Sequence, residues 1–250
     1  FFLDGSRESF QYTVFTILEY AKFSGLNMNF EKTKIIWFGS GDAPENIYMN
    51  DIKFDWNPRT FEILGIEFNW NLRNLTDTNI EKKIDPIKNI IKQWSYRDIT
   101  PIGKITIIKS LLLSKLIHIL SSLPNPSDLM IKRFKKLFFN FLWNNGPDKV
   151  SRNTLYQGKY QGGLQMVDIT SFIKALKITW IRKIINSNGK WKGIVPKLQE
   201  AILTTKVVGS SFLDKTNEEI VLNTFWREVL NDYNEFYKIV HNIDLHPFGK

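Results

Sequence analysis

The chain of 250 residues contains no cysteine. This absence excludes disulfide bonds and zinc sites built on thiolates, and it is typical of proteins in a reducing compartment. The sequence also has no uninterrupted apolar run of about 18 residues, so we expect no membrane-spanning helix. No signal segment stands at its start, and we expect a location in the nucleus or the cytoplasm.

Residues that would support catalysis are also missing. No Asp-Asp pair occurs anywhere in the chain, and His118, His241 and His246 lack the spacing of metal ligands. No nucleophile triad and no phosphate-binding glycine loop is recognisable. We therefore predict no metal site. The chain begins at Phe1 without an initiator Met, and we expect it to be a piece of a longer protein.

Basic side chains are concentrated in the middle of the chain. Residues 80–199 hold 22 Lys or Arg and 6 Asp or Glu, a net charge of +16, whereas residues 1–79 carry −4 and residues 200–250 carry −3. Lysine-rich helix faces are common on folded proteins, but so dense a positive field also attracts polyanions. The distribution therefore favours a nucleic-acid partner over a merely solvated surface.

The first 79 residues combine strand and helix patterns. Asp4-Gly5-Ser6 is a turn signal, in which Ser6 is placed to cap a helix that Gly25 would end. Short apolar runs predict strands at residues 1–3, 35–38, 48–54 and 61–68. We expect the last two strands to form a hairpin across a turn at Pro58, which makes the order strand, helix, strand, hairpin.

From residue 80 onward the apolar residues recur at helical spacing. The predicted helices cover residues 80–94, 100–123, 127–143 and 169–185, followed by a helical tail over 200–250. Pro86 leaves two alternatives open, since either Asp85 caps a helix that starts at the proline or a longer helix kinks there. In the acidic tail we predict that Trp226 and Phe236 are buried.

Five motifs, in chain order, resemble those of one polymerase family. Gly25-Leu26-x-x-Asn29-x-x-Lys32-Thr33, ahead of an apolar strand, resembles the fourth palm motif of reverse transcriptases, and Phe61-x-x-Leu64-Gly65-Ile66 is similar to their primer-grip hairpin. Phe2-Leu3-Asp4-Gly5-Ser6 resembles the strand that follows the catalytic box of this family. Trp94 with Ile99-Thr100-x-x-Gly103-Lys104 resembles the thumb signature. The block beyond the thumb is similar to Phe141-Leu142-Trp143, Ser151-Arg152-x-x-Leu155 and Gly162-Gly163-Leu164-x-x-Val167-Asp168. The family most similar in order and spacing is that of LINE-type, or non-LTR, retrotransposons, although the position of Lys104 is more usually Arg.

The resemblance, which extends to about residue 185, implies an α+β fold. It implies a partial polymerase palm over 1–79, with the fourth motif and the primer-grip hairpin, and an all-helical thumb over 80–125. A basic helical nucleic-acid-binding region over 126–199 and an acidic helical tail over 200–250 would follow. The implied function is that of a nucleic-acid-binding fragment of an RNA-directed DNA polymerase, with RNA template and DNA primer or target as partners and no membrane.

The family's chemistry depends on Mg²⁺ ions held by aspartates of an Ala-Asp-Asp turn and of an earlier strand. Both would precede Phe1, so we expect no cofactor in this chain, and whether the chain is an enzyme stays open. The resemblance gives Lys32 the role of a general acid toward the leaving pyrophosphate, with a plain surface lysine as the alternative. We interpret Asn29 as a local hydrogen-bonding residue and Asp4 as a turn former.

Nucleic acid would be held by the hairpin turn and by the lysine-rich helices. The Leu64-Gly65 turn can approach a primer strand closely, because glycine has no Cβ atom. The predicted phosphate contacts come from Lys104, Lys109, Lys132, Arg133, Lys135, Lys136 and Arg152. The aromatic residues from Phe134 to Trp143 fall at helical spacing, which favours core packing over base stacking.

Two other interpretations of the sequence stay open. The chain could be a non-enzymatic basic nucleic-acid-binding module that uses the same surfaces without a polymerase. It could also be a decayed retroelement remnant without a selected function, and an intact reading frame over 250 residues argues only mildly against this.

Overall fold

The computed structural model describes residues 1, 3–37, 54–56, 58–69, 72–186 and 224–244. The chain divides into two compact units, Phe1–Arg73 and Asn74–Lys250. The described part of the first unit contains one α-helix and two pairs of short strands, whereas that of the second contains helices and no strand. These elements agree with the expected α+β class, in which helices predominate here.

Helix α1 (Arg7–Ser24) begins and ends where the sequence predicts. The Ser6 hydroxyl caps its first turn by accepting a hydrogen bond from the Ser9 N–H at 3.1 Å. Gly25 ends the helix with a φ of 71°, a left-handed conformation that glycine adopts without strain. Asp4 forms the preceding turn, as predicted, because its carboxylate accepts hydrogen bonds from the backbone and the hydroxyl of Ser6.

The core of the first unit is formed by α1 and its neighbouring segments. Phe10 and Val14 of α1 pack against Phe54, and the Phe10 and Phe54 rings meet edge to face with centroids 5.5 Å apart. Strand β1 (Lys34–Ile35) pairs in parallel with β2 (Asp55–Trp56). The strand expected at 35–38 is thus short and begins one position earlier, and the strand expected at 48–54 falls mostly outside the described residues.

The first unit contains a tight hairpin. Strands β3 (Thr60–Ile63) and β4 (Ile66–Asn69) pair antiparallel, with Leu64-Gly65 as the two-residue turn between them. Both turn residues have positive φ, 51° and 79°, which matches the twist of a tight hairpin. The apolar run at 61–68 is therefore two strands rather than one, and they turn at Leu64-Gly65, where the resemblance implied a hairpin. The first arm of the hairpin predicted across Pro58, residues 48–54, lies mostly outside the described residues. The predicted first strand is wrong, since neither Phe1 nor Leu3 lies in a strand.

The second unit is built from seven described helices. They are α2 (Leu75–Ser95), α3 (Pro101–Ile107), α4 (Ser114–Ser122), α5 (Asp128–Leu142), α6 (Arg152–Tyr156), α7 (Ile169–Asn186) and α8 (Thr224–Asp244). Helix α2 begins at Leu75 rather than at residue 80 and contains Pro86 in its interior, so Asp85 is not its cap. The apolar pattern does not reveal the first turns of α2, because two of their buried residues, Thr76 and Asn79, are polar. Thr76 donates a hydrogen bond to the Pro124 carbonyl, and Asn79 donates one to the Leu75 carbonyl.

The helix predicted over residues 100–123 is divided by a π turn. After α3, which Thr100 caps, the segment Ile108–Leu112 widens, and the Leu113 N–H donates to the Ile108 carbonyl at 2.9 Å. The axis bends by 49° at this break. Among the described residues no single helix is long and apolar enough to cross a membrane, and only the bent pair of α3 with its π turn and α4 meets that test by length and composition.

The helices of the second unit pack on one another across the predicted boundary at residue 125. Helix α5 contacts α2, α3 and α7, and α4 contacts α2 and α7. Helix α8 packs against α7, where Val229 and Leu230 meet Ile181 and Ile184. Trp226 is partly buried in this contact, but Phe236 is 48% exposed, so the prediction that it belongs to the core is wrong. Tyr233, three residues earlier, packs against this contact instead of Phe236.

Candidate nucleic-acid interface

Helix α5 carries most of the predicted phosphate-binding cations. Ser127 caps its N-terminus and Trp143 follows its last residue, as the spacing predicts. Its apolar side is buried through Met130, Phe134, Phe138, Phe139, Phe141 and Leu142. This burial confirms that these aromatic side chains are core residues. The other side of α5 exposes Lys132, Arg133 and Lys136, with Lys135 half-buried at its edge.

Four predicted cations meet at one concave surface, hereafter the basic concavity. Lys132, Lys135 and Lys136 of α5 and Arg152 of α6 surround a space of about 500 Å³. The other lining residues are Phe139, Asn140, Gly146, Pro147 and Asp148. Four cations thus face a single lining carboxylate, which leaves a net positive field in a confined volume and attracts anions more strongly than a convex surface does.

Two of the four cations are held in place by carboxylates. Arg152 Nε donates to Asp148 Oδ2 at 2.9 Å, and its guanidinium lies 4.1 Å from the centroid of the Phe139 ring. Lys135 Nζ lies 3.2 Å from Asp168 Oδ1. Burial raises the pKa of Asp168, but hydrogen bonds from Ser171 and the Lys135 ammonium outweigh burial, so its pKa is lowered and it stays ionised.

The other two cations keep their charges unpaired. Within the part of the chain that the structure describes, neither Lys132 nor Lys136 has an ion-pair partner. Both lie on the exposed face of α5 at the rim of the basic concavity. Because paired cations have already lost part of their attraction for a new anion, Lys132 and Lys136 are the side chains best able to bind one.

The remaining predicted cations lie elsewhere. Arg133 points toward α2, where its guanidinium meets Glu81 Oε2 at 2.5 Å. Lys109 is exposed on the π turn and does not line the basic concavity. Lys104 was expected on a phosphate-facing surface, but it is buried with 4% of its area exposed, and that expectation is wrong. Its position four residues before Ile108 puts it on the inner face of α3, which packs against α5.

The buried Lys104 has its own partners. Its ammonium donates to Asn144 Oδ1 and lies 5.4 Å from the centroid of the Phe141 ring. Burial, opposed by the nearby carboxylate of Asp98, lowers the pKa of Lys104 below the ordinary lysine value. The side chain therefore holds α3 to the end of α5, and its spacing from Ile108 is the signal in the sequence that could have indicated its burial.

The predicted site residues of the first unit are exposed. Lys32 ends a 3₁₀ turn (Phe30–Lys32), where Asn29 Oδ1 accepts its N–H at 3.1 Å, which confirms Asn29 as a local hydrogen-bonding residue. Leu64 is 86% exposed at the hairpin turn, and no atom lies within 4 Å of where a Cβ of Gly65 would stand. A strand can therefore approach this turn closely, whereas the role of Lys32 as a general acid stays a prediction.

The donor set for the expected Mg²⁺ ions is missing from the described residues. No three Asp, Glu or His side chains in that part of the chain come together in a group that could hold a metal ion. The carboxylates near the basic concavity, Asp148 and Asp168, are instead engaged with Arg152 and Lys135. No metal-dependent step is therefore assigned to these residues.

The glycine pair of the block beyond the thumb, Gly162-Gly163, lies in the loop that follows α6. Gly162 has a φ of 78°, and the Gly163 N–H donates to the Gly158 carbonyl at 3.0 Å. The chain then folds back, and the Met166 N–H donates to the Leu155 carbonyl at 2.8 Å. These bonds close a tight loop behind the helix that carries Arg152, so the glycines serve backbone geometry rather than contact with a ligand.

Substituting Gly163 by alanine should destabilise this loop. A Cβ at Gly163 would stand 2.1 Å from the carbonyl oxygen of Gln157, which is a clash with backbone that no rotamer relieves. We expect the free energy of unfolding to fall by about 1–3 kcal/mol, as measured by urea denaturation. The matched control is Gly162→Ala, which meets no atom within 4 Å and should cost only about 1 kcal/mol of left-handed strain. Equal losses in the two variants would contradict this account.

The sequence did not indicate a buried lysine on α7. Lys177 is 0% exposed, its ammonium donates to the Leu123 carbonyl, and it lies 3.8 Å from Glu228 Oε2 and 4.1 Å from the centroid of the Phe225 ring. The signal that could have found it is its spacing, four residues after Ile173 and four before Ile181 on the apolar face.

The chain matches no model of a known protein family.

Proposed function

We propose that this chain is the nucleic-acid-binding part of an RNA-directed DNA polymerase of the LINE type, and that its basic concavity binds the sugar-phosphate backbone of a template, primer or target strand. The observation that carries the proposal is the meeting of Lys132, Lys135, Lys136 and Arg152 at one concave surface. The ordered motifs of the sequence support the family, and the cations support the ligand. Catalysis is not part of the proposal, because the chain has no Asp-Asp pair.

Each cation has a distinct task in this binding. The guanidinium of Arg152 lies over the Phe139 ring and is oriented by Asp148. Its remaining N–H groups can donate to two oxygens of one phosphate. Lys132 and Lys136 are mobile point charges that adapt to neighbouring phosphates. Contacts of this kind position a strand without reading its sequence. Binding should therefore be tight at low salt and should weaken steeply as salt is added.

Replacing Lys132 and Lys136 together by glutamine tests the proposal. Each phosphate that a cation neutralises releases counterions, so the slope of log affinity against log salt concentration for a single strand should become shallower by about 1.4. At moderate salt the affinity should fall about tenfold or more. Fluorescence anisotropy with a short labelled single-stranded oligonucleotide, titrated at several salt concentrations, measures both quantities on the full chain.

The matched control removes the same charge from another surface. Lys92 and Lys115 are exposed on α2 and α4 and do not line the basic concavity. Their double glutamine variant should change the slope by much less than the first double variant does. Equal slopes in the two variants, or no binding by the unmodified chain at low salt, would refute the assignment of the basic concavity to phosphate binding.

A further inference from the structure

A second concave surface, hereafter the asparagine pocket, lies where the end of α2, the start of α3 and the end of α5 meet. It encloses about 520 Å³. Its lining is mostly polar and includes Lys104, Asp98, Asn140, Asn144 and Asn145, whereas Ile91 and Phe141 form part of its apolar wall. Several polar groups that converge on a concave space of this size can orient a small ligand.

The polar wall has free hydrogen-bonding capacity. The Lys104 ammonium donates one hydrogen bond to Asn144 Oδ1 and has two further N–H donors. Among the described residues, no partner bonds the side-chain carboxamide of Asn140 or Asn145. Asn144 and Asn145 have φ values of 51° and 60°, left-handed conformations that asparagine tolerates better than most residues. Each free carboxamide offers a donor and an acceptor side by side.

Flat side chains stand at the mouth of the asparagine pocket. Tyr96 lines it and is 79% exposed, and the guanidinium of Arg97 lies 4.5 Å from the centroid of the Trp94 ring. Exposed aromatic rings and stacked guanidinium planes are the surfaces on which proteins stack unpaired bases. Unlike the aromatic residues buried in α5, Tyr96 has no packing role that explains its position.

The asparagine pocket adjoins the basic concavity. Asn140 lines both, and Gly146, which follows Asn145 directly, lines the basic concavity. A strand whose phosphates lie against Lys132 and Lys136 is therefore close enough to place a base in the asparagine pocket. This adjacency links the inference to the proposed function, on which it rests.

We propose that the asparagine pocket binds one unstacked base of a single strand and prefers guanine, uracil or thymine. These bases present a carbonyl oxygen beside a ring N–H. The carbonyl accepts from the Lys104 ammonium, and the ring N–H donates to the carboxamide oxygen of Asn145. Adenine and cytosine lack the ring N–H at that edge, so they leave the carboxamide oxygen unpaired in the complex.

The test compares oligo-dT with oligo-dC, two pyrimidine strands of equal length and charge. The unmodified chain should bind oligo-dT about tenfold more tightly, because one matched edge contributes about 1–3 kcal/mol of discrimination. Asn145→Gly keeps the left-handed backbone and removes the carboxamide, so it should abolish most of the preference without changing the salt slope. Tyr96→Ala should weaken the binding of both strands, by about tenfold, through lost stacking.

The results separate this inference from the proposed function. The glutamine variant of Lys132 and Lys136 should lower the salt slope and keep the preference for oligo-dT. Equal binding of the two strands with a steep salt slope would overturn the base pocket and leave the phosphate site standing. A preference that survives in Asn145→Gly would also overturn it. No binding of either strand at low salt would overturn both proposals.

Discussion

Truncating Phe138 to alanine should lower the free energy of unfolding of the second unit by about 3–5 kcal/mol. Phe138 is 2% exposed on α5, and its ring stacks on that of Phe134 with centroids 6.0 Å apart. Helix α5 contacts α2, α3 and α7, so a cavity at this position is enclosed by several helices and cannot collapse easily. Urea denaturation followed by circular dichroism on the full chain measures the change.

A control on the same helix separates this effect from helix propensity. Leu129 lies in the first turn of α5 and is 74% exposed. Leu129→Ala should change the free energy of unfolding by no more than about 0.5 kcal/mol. A loss for Phe138→Ala as small as that for Leu129→Ala would contradict the packing described here. The basic concavity depends on the same packing, because α5 presents its cations on the face opposite to Phe138.

The second unit should become more stable as the pH rises from about 8 to about 10. Burial, opposed by Glu228 and Asp232, lowers the pKa of Lys177 from 10.5 to about 8. Between these values the unfolded chain binds a proton at Lys177 that the folded chain has released. The free energy of unfolding therefore rises with pH in this window, by about 2 kcal/mol. At lower pH Lys177 is protonated in both states, and its buried charge destabilises the folded state.

Burial also raises the pKa values of three groups on α8. Burial raises the pKa of Glu228 and of Asp232 above their ordinary values. Burial also raises the pKa of Tyr233 above its ordinary value of 10.0. Lys177→Met should thus remove the rise between about pH 8 and about pH 10, whereas Lys174→Met, at an exposed residue paired with Glu235, should keep it. A rise of equal size in both variants would refute the assignment to Lys177.

Local signals in the sequence were sufficient for the best predicted elements. The start and end of α1 follow from a serine cap and a glycine in the left-handed region, both of which act within one helical turn. The buried aromatic face of α5 follows from its helical spacing. Residues 61–68 were predicted as a single strand, because an apolar run does not reveal whether it forms one strand or two until its partner is known.

Contacts between helices decided which lysines are available to a ligand. Lys104 and Lys177 lie at apolar positions of their helices, and α5 and α8 cover them. A lysine stem can pack like an aliphatic side chain when its ammonium has a polar partner.

The sequence by itself determined that the chain is basic between residues 80 and 199 and that the chain contains no Asp-Asp pair. It also determined that α5 has one charged and one apolar face. Only the tertiary structure brought Arg152 beside Lys132, Lys135 and Lys136 and turned Arg133 toward Glu81. Charge and periodicity are properties of nearby residues, whereas a concave surface is made by segments that meet only when the core packs.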